Sequence, residues 1–86
     1  MREAPAIAYV AHATEAMAER GIPKDWVERT LLDPEVTRAD ASRDSRKLAF
    51  RRIAEHGNRW LRVVYEEDEG ILVVTAFFDR GMKQWR

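Results

Sequence analysis

The sequence predicts an α+β fold: a helical hairpin packed on one face of a twisted antiparallel sheet of three or four strands, in the order β-α-α-β-β-β. Three observations carry this. Trp60–Tyr65 and Ile71–Phe78 are two β-branched and aromatic runs around an acidic turn ending in Gly70, which is the pattern of a hairpin. Two short stretches with apolar residues at helical spacing lie almost end to end before residue 34, so they must fold back on each other. A chain of 86 residues without linker, repeat or low-complexity segment gives one small domain, which must use nearly every large apolar side chain.

Residues 7–10 are a short apolar run, expected as an edge strand leading into a helix. Residues 12–20 are alanine-rich, with Ala13, Ala16 and Met17 on one face, and predict a helix that opens on His12 as N-cap, with Glu15 in the capping-box position. Gly21 suits the left-handed residue that ends it. Residues 23–33 predict a second helix. Pro23 opens it, Asp25 complements the positive end of its dipole, and Trp26, Val27, Thr30 and Leu31 form its buried stripe. Asp33-Pro34 stops it, because the residue before proline resists helical geometry. Residues 35–44 read as a polar loop with a short strand at Val36–Arg38.

Residues 46–55 predict a strand with Leu48, Phe50 and Ile53 as its apolar content, and His56-Gly57-Asn58 the turn after it. Residues 59–66 and 71–78 predict the next two strands, with Gly70 at positive φ between them. The second is apolar at nearly every position and reads as an interior strand. Leu61, Val63 and Tyr65 share the better core face, so the helices should lie there. Arg62 then faces the open side, beside Thr75 if the turn holds four residues. Arg51 and Arg52 point to opposite faces, so one must escape to an edge. Residues 79–86 form a basic tail.

The chain has no cysteine, which excludes disulfides, thiolate metal sites and a cysteine nucleophile and suits a reducing, cytoplasmic setting. No apolar run reaches bilayer-spanning length and the N-terminus lacks a signal-like core, so no membrane partner is expected. Formal charge is zero but uneven. Residues 1–36 carry four basic and seven acidic side chains, a net −3; residues 37–65 carry eight and three, +5; residues 66–86 carry three and five, −2. The basic middle is a candidate phosphate-binding surface, or a solvated strand face that happens to carry arginine.

His12 opening a helix, Arg20-Gly21-Ile22, Trp26-Val27, the run Arg59–Tyr65 and Val73-Val74-Thr75 together resemble the domain-of-unknown-function family 4258, over roughly residues 7 to 80. Families of this shape are similar to the BrnT and RelE-type toxins. The resemblance implies a type II toxin that acts on RNA as a metal-independent endoribonuclease, without cofactor. It also implies an antitoxin-type protein partner and contact with RNA or the ribosome. The alternative is a non-catalytic binding module of the same fold that holds a protein or pairs with itself; a third reading is RNA binding without cleavage. The chain departs from RelE-type proteins in its neutral charge and in a tail that carries Lys83 and Trp85 and no tyrosine.

Such cleavage needs a base for the ribose 2′-hydroxyl, a cation for the phosphorane and an acid for the leaving oxygen. Arg62 is the first candidate cation, with Arg52, Lys47 and Arg80 beside it. His12 is the candidate acid or base. Each has a structural reading too: His12 bonding its own backbone or packing under the sheet, Arg62 pairing with Glu66 or a neighbouring carboxylate, and Arg20 pairing with Glu19 or Asp25 at its helix end. His56 reads as an exposed turn residue. Glu66–Glu69 lack the alternating spacing of a calcium loop, and no metal is expected. Trp26 reads as core; Trp60 and Trp85 are packing residues or base-stacking ones.

Overall fold

β-Branched and aromatic residues concentrate in the second half of the chain, and there the backbone pairs into sheet. The computed structural model describes residues 6–67 and 69–81. Among the described residues five strands form one sheet: β1 (Ile7–Tyr9), β2 (Val36–Ala39), β3 (Arg46–Ile53), β4 (Arg59–Glu67) and β5 (Ile71–Phe78), in the spatial order β1-β5-β4-β3-β2. Helices α1 (Ala11–Arg20) and α2 (Lys24–Leu32) cover one face, α1 against β5 and α2 against β3 and β4.

The α+β class and the helical hairpin are as expected; the sheet is larger and mixed. β2 is a full edge strand, paired antiparallel with β3 from Val36↔Phe50 to Ala39↔Lys47. β1 pairs parallel with β5 from Ile7↔Ile71 to Tyr9↔Val73, so the sheet is not wholly antiparallel. That pairing joins the two ends of the domain, and local pattern carries no signal for it. Gly70 serves this junction and does not take the positive φ expected of it. A Cβ at Gly70 would lie 2.8 Å from the Ala6 carbonyl oxygen, which accepts the Ile71 N–H at 2.9 Å. Close backbone approach explains the glycine.

α1 begins one residue earlier than expected. Val10 is its N-cap, without a side-chain bond, so His12 lies inside the first turn and the capping box is absent. The helix ends at Gly21 (φ 68°), and the following N–H groups return to the Ala18 and Met17 carbonyls. α2 is shorter by one residue at each end, with Pro23 as cap and Asp33 after its last turn. The Arg51 Nη1 donates to the Asp33 carbonyl at 2.8 Å; this is the edge escape expected of one arginine of the pair, and it places a cation at the negative end of the helix. β3 stops at Ile53, before the expected residue 55, because Ala54–His56 form a 3₁₀ turn closed by Gly57 (φ 66°) and Asn58 (φ 57°).

The core lies between the helices and the odd-numbered face of β4. Leu61 and Val63 are fully buried and pack with Ala13, Met17, Val27, Ile53, Val73 and Ala76. Each buried Val, Leu, Ile or Met side chain among them contributes on the order of 1.5–3 kcal/mol by leaving water. A bulge between Val64 and Tyr65 shifts the β4–β5 register. Only residues 68–70 separate the two strands, and regular pairing would set Arg62 against Ala76. The bulge turns Ala76 and Phe78 to the core and sets Phe77 opposite Arg62, where Thr75 was expected. The tail expected over 79–86 lies, beyond Gly81, outside the described residues, as does Asp68 in the acidic turn. No helix among the described residues is long and apolar enough to cross a membrane.

Candidate functional site

Alternation on the strands fixes which side chains reach the uncovered face. Arg52, Phe50, Leu48 and Arg46 of β3 stand opposite Trp60, Arg62, Val64 and Glu66 of β4. Phe77 of β5 flanks Arg62 on the other side. The result is a row of guanidinium groups and rings running across the strands. The Arg62 guanidinium lies 5.3 Å from the Phe77 ring and 5.2 Å from the Phe50 ring. Arg20 reaches round from the end of α1 to 5.9 Å from Phe77, and Arg38 of β2 lies 5.6 Å from Phe50. Arg52 covers Trp60 at 5.4 Å. Phe50 is fully buried although no helix covers it, because guanidinium groups stack over the ring and exclude water.

Most of these cations also hold a carboxylate. Arg62 Nη2 meets Asp79 Oδ2 at 2.8 Å, a neighbouring carboxylate in place of Glu66. Glu66 pairs instead with Arg46 at 3.2 Å. Arg52 Nη2 meets Glu35 Oε1 at 2.8 Å, and the Arg52 backbone N–H donates to the other oxygen. These bonds hold the Glu35 carboxyl below the usual carboxylate range, and they raise Arg52 in turn. Arg20, expected beside Glu19 or Asp25, donates to the Ala76 carbonyl at 2.9 Å and to Thr75 Oγ1 at 3.4 Å. It caps the part of β5 that β1 is too short to cover. Arg62 Nε and Arg51 Nε are buried donors with no acceptor among the described residues.

The five residues singled out in the sequence divide accordingly. Arg52 and Arg62 share the uncovered face. Lys47 pairs across with Tyr65 on the helix-bearing side, where its Nζ binds Glu67 Oε1 at 2.8 Å. His12 is exposed in the first turn of α1, also on the helix side. Arg80 lies at the end of the β4–β5 ribbon, in a cleft of about 300 Å³ lined by Arg59, Trp60, Phe78, Asp79 and Arg80. The acid–base candidate and the first cation candidate therefore sit on opposite sides of the sheet.

Sequence reasoning missed Asp79 and Arg59. Asp79 follows the last strand, and only the register shown here brings it to Arg62. Its Oδ1 accepts the Gly81 N–H at 2.8 Å while its own N–H bonds Trp60, so both carboxylate oxygens are engaged. His56 is exposed, as expected, and also stacks on Phe78 at 4.4 Å beside Trp26. A second cleft of about 300 Å³ lies at the opposite end of the sheet, between Thr37, Arg38, Ala39, Lys47 and Tyr65. No group of three or more His, Asp or Glu among the described residues could hold a metal ion.

Among families of known proteins, one described as a domain of unknown function (DUF4258) matches residues 9–78. No curated protein and no solved structure matches the chain.

Proposed function

The chain belongs to the DUF4258 family, and on that premise we propose that it is a toxin-type protein of the RelE/BrnT kind that engages RNA on its uncovered sheet face. In this reading an antitoxin-type partner controls the protein by covering the same face. The observation that carries the reading is the position of Arg62. It stands at the centre of the guanidinium–ring row, fixed between Phe50 and Phe77 by Asp79. A planar fork held this way matches the paired oxygens of a phosphate. Rings and cations interleaved on one surface suit a nucleic-acid strand. Cleavage without a metal would use Arg62 to stabilise the phosphorane.

Expression in a bacterial host tests this. Growth arrest with degraded RNA, both relieved by Arg62→Ala, is the expected result. Harmless expression with intact RNA would remove the endoribonuclease from the reading.

One observation favours the reading without catalysis, RNA binding without cleavage. His12 and Lys47 are on the far side of the sheet from Arg62, and both oxygens of Asp79 are occupied, so none of these groups is a free base beside the cation. RNA binding without loss of RNA integrity would identify that alternative.

A further inference from the structure

The distribution of unpaired cations points to a second site. Arg29, Arg46, Lys47, Arg51, Arg52 and Arg62 each meet a carboxylate. Arg59 and Arg80 meet no carboxylate, acceptor or ring among the described residues, and both line the cleft at the end of β4 and β5. Two exposed guanidinium groups on one concavity attract an anion. The carboxylate in the same cleft does not cancel them. Asp79 is neutralised by Arg62 through Oδ2 and tied to the Gly81 N–H through Oδ1. Trp60 and Phe78 complete the lining, Trp60 from the uncovered face and Phe78 from the core side. The volume, about 300 Å³, is at the lower end of small-ligand sites.

We propose that this cleft binds a nucleotide phosphomonoester, with Arg59 and Arg80 on the phosphate. A phosphomonoester near neutral pH carries about −1.5 to −2 charges, which two guanidinium groups balance; an internal phosphodiester carries one. The ligand is either a free nucleoside monophosphate or the phosphorylated end of an RNA strand. Only the second source rests on the RNA reading above.

Isothermal titration of the full chain separates these outcomes. The probes are AMP, inorganic phosphate, and a ten-nucleotide RNA with either a 5′-phosphate or a 5′-hydroxyl. AMP, the phosphorylated RNA or both are expected to bind saturably and more tightly than inorganic phosphate. Arg59→Ala and Arg80→Ala should each weaken that binding about tenfold, the worth of one charge-assisted bond. Arg43→Ala, which removes another exposed arginine that lacks a partner among the described residues, should leave it within about twofold. Binding of AMP alone assigns a free nucleotide; binding of the phosphorylated RNA alone assigns a strand end. The site is refuted if neither binds better than inorganic phosphate and the RNA terminus makes no difference. It is equally refuted if Arg59→Ala and Arg80→Ala bind like the parent. The 5′-hydroxyl RNA and its dependence on Arg62 report separately on the sheet face.

Discussion

Arg62 and Asp79 are joined at 2.8 Å across the end of the β4–β5 ribbon, and the pair holds a guanidinium between two phenylalanine rings. The arginine thus has two separable roles, covering Phe50 and presenting charge. Arg62→Ala removes both and should cost about 1–2 kcal/mol in unfolding free energy. Arg62→Met keeps the cover and should cost less than half of that, yet abolish the charge-dependent function. Denaturant titration of the two variants, compared with their RNA phenotypes, checks the separation.

Phe50 is the other half of this arrangement. It is fully buried on the face that no helix covers. Phe50→Ala should cost about 3–5 kcal/mol, a large share of the stability of a domain this small. The expected outcome is loss of the cooperative thermal transition at 37 °C. A well-folded Phe50→Ala variant would mean that the arginine layer does not shield the ring.

Gly70→Ala places a methyl group 2.8 Å from the Ala6 carbonyl oxygen. The backbone cannot yield there without parting β1 from β5. A loss of about 1–3 kcal/mol is expected, with the Ile71 amide, bonded to Ala6 at 2.9 Å, exchanging faster with solvent. Unchanged protection of that amide would show that the junction tolerates the insertion.

Glu55 links the 3₁₀ turn to α2 through both oxygens, each 2.8 Å from Arg29. The Arg29 guanidinium holds the Glu55 carboxyl at a pKa of about 2, against an ordinary 4.5. A depressed folded-state pKa stabilises above the unfolded value and loses that effect as pH falls through the folded one. The melting temperature of the parent should exceed that of Glu55→Gln at pH 7. The gap should narrow between pH 4.5 and pH 2 and close below. A gap independent of pH would assign it to something other than ionisation.

Residues 61–65 show how far the sequence reached. Alternation placed Leu61, Val63 and Tyr65 under the helices and Arg62 outside, as found, because a two-residue period leaves one choice once a face is apolar. The partner of Arg62 was not legible. It depends on a bulge that shifts the register by one residue, and Val73-Val74-Thr75 reads equally well in either phase. The β1–β5 pairing was hidden for a related reason: a three-residue strand docked across the whole domain leaves no local trace. His12 and Arg62 were grouped by chemistry, while the fold puts a sheet between them. The cleft needed two separate segments, residues 59–60 and 78–80, to meet, and single-residue reasoning could not assemble it.

The account depends most on Arg62 as the RNA-contacting cation. Fluorescence anisotropy of a 5′-hydroxyl single-stranded RNA, titrated at several salt concentrations with the parent and with Arg62→Met, measures this directly. The expected result is weaker binding by Arg62→Met and a salt slope reduced by about 0.7, the loss of one phosphate contact on a single strand. Equal affinity and equal slope for the two proteins would contradict it.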